Sequence, residues 1–393
     1  MGSKEWKQLI RRTVLRAVNQ LPASSLTIGS PRKTIFAEGG SLKTQTLQPA
    51  MALTEKPPGT IDKEVFFKFP PLYNRVQPRQ YILEIENGRV WGNNGAILTR
   101  DDQFIADVSK EFGPAKFDPS LHSIFNRIKL HKPQHFAGSI AVIASPGADV
   151  YAHWFCDVLP RLMLLQRAGL AGHADRILLN YSRLDFQLES LSLMGIREDK
   201  IVNCKEDIDF HLVADRLYVP SYPNEHGTVN PWVCSGVKEI FRSESAGSAL
   251  QRRRVYISRS RATGRKLVNE EALFSLLEKE YGFVKIFTED LTMAEKVTIF
   301  GNAECVIAPH GGGLTNILFS GKNCKIVDIF PPGDFDTFFW SIANSNELAY
   351  YYFFGKGELP SPENDFMRRN IDIEVDLDKF KDLLNLINLE KLQ

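Results

Sequence analysis

Apolar positions recur along this chain in two rhythms. Between residues 80 and 108 they form short β-prone runs at 81–85, Arg89–Trp91 and 96–99, separated by Asn87-Gly88 and Asn93-Asn94-Gly95. Asn-Gly pairs suit tight hairpin turns, so this stretch predicts a small antiparallel meander. From residue 140 the rhythm changes to short continuous apolar runs (140–143, 177–180, 216–219) alternating with helical stripes (152–168, 185–194). Strands buried on both faces read as continuous apolar runs, so parallel strands joined by helices are expected. After a polar break at 223–230 the alternation resumes, with strands at 254–258, 284–287, 305–308 and Lys325–Phe330 and helices at 269–281, 293–302, 313–319 and 335–343. The pattern predicts two successive doubly wound α/β domains, whose ligands bind beyond the carboxyl ends of the strands.

The ends of the chain read differently. Trp6, Leu9, Ile10, Val14 and Val18 fall on one helical stripe over residues 4–21, while Lys4, Lys7, Arg11, Arg12 and Arg16 cover much of the rest. A basic amphipathic helix of this kind can lie on an anionic membrane, and docking on the protein body or on a partner is the competing account. Residues 22–60 are rich in Ser, Thr, Pro and Gly and read as a linker or an extended wrap. A final helix is expected over 377–389. The expected division is therefore residues 1–60 as amphipathic helix and linker, 61–225 as a first α/β domain, 226–365 as a second, and 366–393 as a helix packing back on the body.

Composition narrows the function classes. Forty-eight basic against 47 acidic residues leave a formal charge of +1, so no global field recruits nucleic acid and any anion site must be local. The five cysteines, Cys156, Cys204, Cys234, Cys305 and Cys324, are widely spaced with no Cys-x-x-Cys or Cys/His metal spacing, which fits a reducing, cytoplasmic setting. No apolar stretch reaches the roughly 18 residues of a membrane span. Together these features predict a cytoplasmic protein that is soluble or peripheral at the inner face of a membrane.

Three stretches carry candidate chemistry. The first is Pro309-His310-Gly311-Gly312-Gly313-Leu314-Thr315-Asn316, a glycine turn between a strand and a helix start. Such turns can direct free N–H groups and a helix dipole at a phosphate, and His310 can donate to a phosphate or a sugar hydroxyl. The turn is neither a dinucleotide fingerprint nor a Walker loop, and a tight packing turn is the competing account. Thr315 and Asn316 open the helix behind the loop and are further phosphate contacts.

The second is His153-Trp154-Phe155-Cys156-Asp157, with Pro160 and Arg161 close behind. Residues four apart share a helix face, so Asp157 can orient the His153 imidazole, and either group can deprotonate an attacking hydroxyl. Asp157 paired to Arg161 is the competing account. Pro160 predicts a kink, or a helix start capped by Asp157.

The third is the basic run from Arg252 to Lys266. Guanidinium groups grip phosphate oxygens with two prongs, which singles out Arg259 at the strand end and Arg265 in the loop as holders of a diphosphate. Asp334 and Asp336 have the Asp-x-Asp spacing that can hold Mg²⁺ or Mn²⁺ with a diphosphate, and helix capping explains the same pair.

Taken in order, these motifs resemble glycosyltransferase family sixty-one, in a bacterial-type form linked to surface polysaccharide or capsule biosynthesis. The resemblance rests on His153-Trp154 with Asp157, Leu159, Pro160 and Arg161; Tyr256-Ile257-Ser258-Arg259; 300–305; and the His310 turn followed by Asp328-Ile329-Phe330-Pro331. It implies a GT-B fold of two Rossmann-like domains facing a cleft, and an inverting transfer from a nucleotide-sugar, a UDP-sugar first, to a glycan hydroxyl without need of a cofactor. Arg259, Arg265, His310, Gly311, Gly312, Gly313, Leu314, Thr315, Asn316 and Asp328 would bind the donor, and Asp157 with His153 would supply the base. Two positions depart from the family pattern: Gly312 stands where alanine is usual, and Asp328 where glutamate is common. A non-catalytic nucleotide- or glycan-binding subunit of a polysaccharide assembly complex would use the same residues without turnover.

Overall fold

The computed structural model describes residues 27–31, 33–38, 42–116, 118–225, 227–244, 253–368 and 370–392. The predicted amphipathic helix at 4–21 lies outside them. The chain divides into two units, one formed by the described residues up to Pro49 with Arg79–Pro223, the other by Ala50–Pro78 with Asn224–Gln393.

The first unit is a ten-stranded mixed sheet. Its parallel part consists of β2 (Gln134–Val142), β3 (Arg176–Leu179), β4 (Ile201–Asn203) and β5 (His211–Pro220), lying side by side in the order β4-β3-β2-β5. Counted by appearance in the chain that is 3-2-1-4, half of a doubly wound sheet, and the direction of winding reverses between β2 and β5. Only part of the predicted meander, from residue 89 onward, sits beside it. β1 (Gln80–Glu86) and Arg89–Trp91 pair antiparallel with successive stretches of β5 and run on in one direction, so Asn87-Gly88 is an irregularity along one edge and not the expected hairpin turn, with Asn87 at a left-handed φ of 52° that Asn tolerates. The hairpin lies at Asn93-Asn94-Gly95, where Arg89–Trp91 turns back to pair with Ala96–Leu98. Val90, Ile97, Ile140, Val142, Leu178 and Leu217 share the core beneath.

The helix expected over 152–168 is broken in an informative way. An α-turn at Tyr151–His153 runs into a π-helical turn at Trp154–Val158, and only then into α1 (Leu159–Arg167). Pro160 has no N–H and its ring crowds the carbonyl four residues back, so the preceding turn widens by one residue. A second helix, α2 (Asp185–Leu193), crosses from β3 to β4.

The second unit holds a five-stranded, wholly parallel sheet of β6 (Arg253–Ile257), β7 (Phe283–Ile286), β8 (Ala303–Pro309), β9 (Lys325–Phe330) and β10 (Ala349–Phe354). Its order is β7-β6-β8-β9-β10, or 2-1-3-4-5 by appearance, with the reversal between β6 and β8. Helices α3 (Pro231–Ile240), α4 (Glu270–Tyr281), α5 (Met293–Gly301), α6 (Phe338–Ser345) and α7 (Leu377–Leu386) accompany it. Their ends obey local chemistry. Thr292 caps α5, accepting from the Glu295 N–H while the Glu295 carboxylate accepts from the Thr292 N–H, and Gly282 ends α4 at a φ of 68°. Leu273, Leu277, Phe380, Leu383 and Leu384 from α4 and α7 share one core with Tyr256, Ile307, Ile329 and Phe353.

Within residues 22–60 the described segments form strands. Thr44–Gln48 pairs with β1 in the first unit, while Met51–Thr54 pairs with Asn74–Gln77 in the second. Phe69 is fully buried, its ring 4.9 Å from Phe335 and 5.1 Å from Tyr352, and the Trp340 indole donates to the Lys56 carbonyl at 3.0 Å. The segment 50–78 thus belongs with residues 224–393, far away in sequence. Strand β10 and helix α3 also escaped the periodicity. α6 begins at Phe338 rather than 335 because the Asp336 carboxylate accepts from the Phe338 N–H at 2.6 Å.

Candidate functional site

In the second unit the strand order places the ends of β6 and β8 side by side, and the chain leaves them through Arg259 and through the His310 turn. The two are in contact. A Cβ on Gly311 would lie 2.0 Å from Arg259 Nη1 and 2.6 Å from its Cζ, so the guanidinium rests directly on the Gly311 backbone. Gly313 is also crowded, with Ile257 Cγ2 at 3.0 Å and Thr288 Oγ1 at 3.2 Å from the same position, whereas Gly312 meets nothing within 4 Å. The three glycines therefore do different things: Gly311 admits an arginine, Gly313 allows close packing, and Gly312 alone faces open space.

Arg259 donates from Nη2 to the Gly264 carbonyl at 3.1 Å, and Arg265 follows with a left-handed φ of 59°. The Arg265 guanidinium is 3.7 Å from an Asp334 oxygen, a long ion pair. Both arginines keep a buried Nε–H without an acceptor. Burial and then the like charge of Arg265 push the Arg259 pKa down, with Glu289 opposing. Two crowded cations with unfilled donors are electrostatically suited to a compact dianion.

His310 completes this end of the sheet. Its Nδ1 lies 3.0 and 3.2 Å from the two oxygens of Asp328, which also accepts from the Tyr350 hydroxyl at 2.8 Å. The imidazole stacks on Phe330 with centroids 4.4 Å apart and meets the Phe339 edge at 5.1 Å. Asp328 is fully buried, so it stands behind His310. The helix after the turn is a 3-10 helix, Gly312–Phe319, whose first N–H groups have no preceding carbonyl to bond. Leu314, Thr315 and Asn316 are buried in it, and the Asn316 amide donates to the Gly313 carbonyl at 2.9 Å. Asp334 is turned to Arg265 and Asp336 accepts from the first N–H of α6, and among the described residues no group of three or more His, Cys, Asp or Glu side chains is placed to hold a metal.

In the first unit the corresponding reversal point, between β2 and β5, carries the second motif. His153 Nδ1 and Asp157 Oδ2 are 2.7 Å apart, across the π-helical turn, and both side chains remain partly exposed. Gly147, at a φ of 72°, lets the rings of His153 and Phe112 close in on its backbone. Turns of π type are rare and frequent at functional sites. With Nδ1 engaged by the carboxylate, Nε2 is the nitrogen left to exchange a proton.

Arg161, the alternative partner for Asp157, is engaged elsewhere. Its guanidinium donates to the carbonyls of Val142, Ile143 and Ala144 at 3.0, 2.9 and 2.9 Å and of Pro220 at 3.2 Å, and lies 4.6 Å from the Tyr222 ring centroid. It ties together the ends of β2 and β5. The sequence signal was present, since an arginine inside an apolar helix stripe has to find acceptors indoors. Tyr350 gave no such signal: it lies within an aromatic run in which nothing marks one hydroxyl from the next.

Comparison with known proteins adds two findings. Residues 151–327 match the family model described as Glycosyltransferase 61, a span that takes in both motifs. The chain is also 24% identical over 375 residues to the beta-1,2-xylosyltransferase XAX1 of Oryza sativa subsp. japonica, covering 81% of this chain and 64% of the relative. The chain thus spans less than two thirds of that relative's length. Among the described residues no helix is long and apolar enough to cross a membrane.

Proposed function

We propose that this protein is a glycosyltransferase that moves a sugar, xylose first among candidates, from a UDP-sugar to a glycan hydroxyl with inversion at the anomeric carbon. The observation that carries the reading is the pair Arg259 and Arg265, with unpaired buried Nε–H groups at the reversal point of a 2-1-3-4-5 sheet. In this reading the two guanidiniums, the first N–H groups after Gly311 and the His310 Nε2 hold the diphosphate and stabilise the charge that grows as it departs. Asp328 acts behind His310, and Leu314 to Asn316 secure the turn. The xylosyl assignment leans on the printed activity of the rice relative, and the diphosphate on the cation pair.

The acceptor hydroxyl needs a base, because a neutral alcohol is a poor nucleophile until its proton begins to leave. His153 Nε2 takes that proton in our reading, and Asp157 holds the ring by Nδ1 and balances the imidazolium. One displacement gives one inversion. The two families of residues belong to a GT-B arrangement in this proposal, with the donor on the second unit and the base on the first. The Asp334/Asp336 pair is engaged in an ion pair and in a hydrogen bond from α6, which supports a reaction that does not route through a metal.

The test is a thermal-shift panel followed by turnover. UDP, UDP-xylose, UDP-glucose, UDP-N-acetylglucosamine, GDP and ADP are compared, since a ligand that binds only the folded state raises its stability. Stabilisation by UDP compounds above the others, with UDP released over time in the presence of a xylan-derived oligosaccharide mixture, supports the proposal. No stabilisation by any UDP compound would overturn it.

A further inference from the structure

One large apolar side chain beside the His153/Asp157 pair is left half open. Phe112 is 54% exposed, and its ring centroid lies 5.2 Å from that of His153, with the two planes at 49°. A single exposed phenylalanine says little by itself, since folded proteins carry apolar surface everywhere. What singles this one out is how it is held and which edge of the imidazole it borders.

The three residues before it are each tied down. The Ser109 hydroxyl accepts from the Ile97 N–H at 2.8 Å, the Lys110 ammonium lies 4.4 Å from the Tyr222 ring centroid, and the Glu111 carboxylate accepts from the Ser123 N–H at 2.7 Å. Directly after it, Gly113 takes a φ of 82°, and no atom lies within 4 Å of the position a Cβ there would occupy. The chain thus presents Phe112 at the end of an anchored segment instead of folding it inward.

Gly147 fixes which ring edges meet. A Cβ on it would lie 2.9 Å from His153 Cδ2, 2.9 Å from Phe112 Cζ and 3.1 Å from Phe112 Cε2. Cδ2 is the ring carbon bonded to Nε2, so Phe112 borders the free nitrogen's side of the imidazole while Asp157 engages Nδ1.

We propose that Phe112 is the platform on which a pyranose ring of the acceptor glycan rests while one of its hydroxyls meets His153 Nε2. A pyranose carries axial C–H bonds on its faces and equatorial hydroxyls around its rim. The faces suit the electron-rich face of a phenylalanine, and the rim suits the imidazole. Stacking at the usual carbon contact of about 3.5 to 4 Å sets the height of the sugar over Phe112. Phe112 orients the acceptor and exchanges no proton. The inference rests on the reading of His153 as the base for an acceptor hydroxyl, and it adds the residue that presents that hydroxyl.

The probe is xylohexaose, a chain of pyranoses whose hydroxyls are equatorial. Its binding is measured by calorimetry, with UDP present, on the full chain and on Phe112→Leu, Phe112→Trp and Phe36→Ala. Leucine keeps apolar bulk beside His153 without an aromatic face, tryptophan restores a face, and Phe36 is a second exposed phenylalanine of the same unit, at 51%. Phe112→Leu should weaken binding roughly tenfold, while Phe112→Trp and Phe36→Ala stay within about threefold of the parent. The urea midpoint of Phe112→Leu should match the parent's, so that lost binding is not lost folding. In turnover with UDP-xylose, the KM for xylohexaose should rise in Phe112→Leu by the same factor as the dissociation constant, with a smaller change in kcat.

Unchanged xylohexaose affinity in Phe112→Leu overturns the inference, and the transferase reading survives it if turnover persists. An equal loss in Phe112→Leu and Phe112→Trp overturns it too, because an aromatic face then does not restore binding. So does a parent protein that binds no xylohexaose. Affinity lost in Phe112→Leu and kept in Phe112→Trp, in a protein that never turns over UDP-xylose, upholds the platform and removes the transferase.

Discussion

Each unit keeps an arginine at the point where its sheet reverses direction, and the two arginines are opposites. Arg161 in the first unit is saturated, with four carbonyls from two strand ends and an aromatic face around it. Arg259 in the second is bonded to one carbonyl, keeps an unpaired Nε–H, and stands beside a second cation. The same side chain is a strut in one place and an incomplete site in the other. Burial alone does not assign the two roles, although Arg161 is fully buried and Arg259 only partly so. What separates them is how many donors the protein itself has satisfied, which is why a count of partners identifies ligand-facing groups where a count of charges does not.

The contrast can be broken in order of effect. Largest should be the loss of the proton acceptor: His153→Gln is expected to lower the rate of transfer by about 10² to 10⁴-fold, the usual worth of a general base. UDP-xylose affinity should stay within twofold, and Asp157→Asn should act in the same direction; full turnover in His153→Gln with loss in Asp157→Asn would make the carboxylate the base instead. Next comes Arg161→Met, which strands buried carbonyls and should cost about 3 kcal/mol or more in urea denaturation. A stable Arg161→Met protein with weakened donor binding would erase the contrast.

Arg259→Ala should do the reverse, weakening UDP-xylose binding by roughly tenfold to a hundredfold, the scale of one charge-assisted contact, with little effect on the denaturation midpoint. Gly311→Ala should resemble it in calorimetry, because the new methyl must displace the guanidinium that rests there. Smallest is Gly312→Ala. No protein atom lies within 4 Å of the new methyl, so stability and donor affinity should both remain within twofold, as expected of a position where the family resemblance puts alanine.

Much of the α/β layout was legible because strands buried on both faces write themselves as apolar runs: Lys325–Phe330 was read to the residue, and the His310 turn was placed between a strand and a helix. What the turn's glycines were for was not legible. Gly311 stands among the expected donor contacts, and the space beside it is taken by Arg259, a residue 52 positions earlier whose arrival depends on strand order. The break in the first helix was half legible, since Pro160 forecasts a disturbance but not that it takes the form of a π turn bracketed by His153 and Asp157. Strands at 51–54 and 74–77 were missed for a different reason. Their partners are each other and residues near 340–352, and pairing of that reach leaves no local period to read.

The segment 50–78 also sets a timetable. It leaves the ribosome before any of the first unit's parallel strands exist, yet Phe69 and Gly59 find their places only when Phe335, Trp340, Tyr351 and Tyr352 have been made. Through some 270 residues of synthesis an apolar strip with Phe66, Phe67 and Phe69 waits without its partners. The first unit can close while that strip is still open, and the second cannot close until translation is nearly finished. An expressed fragment beginning at residue 224 would therefore lack part of its own core, and adding residues 50–78 in trans should restore it.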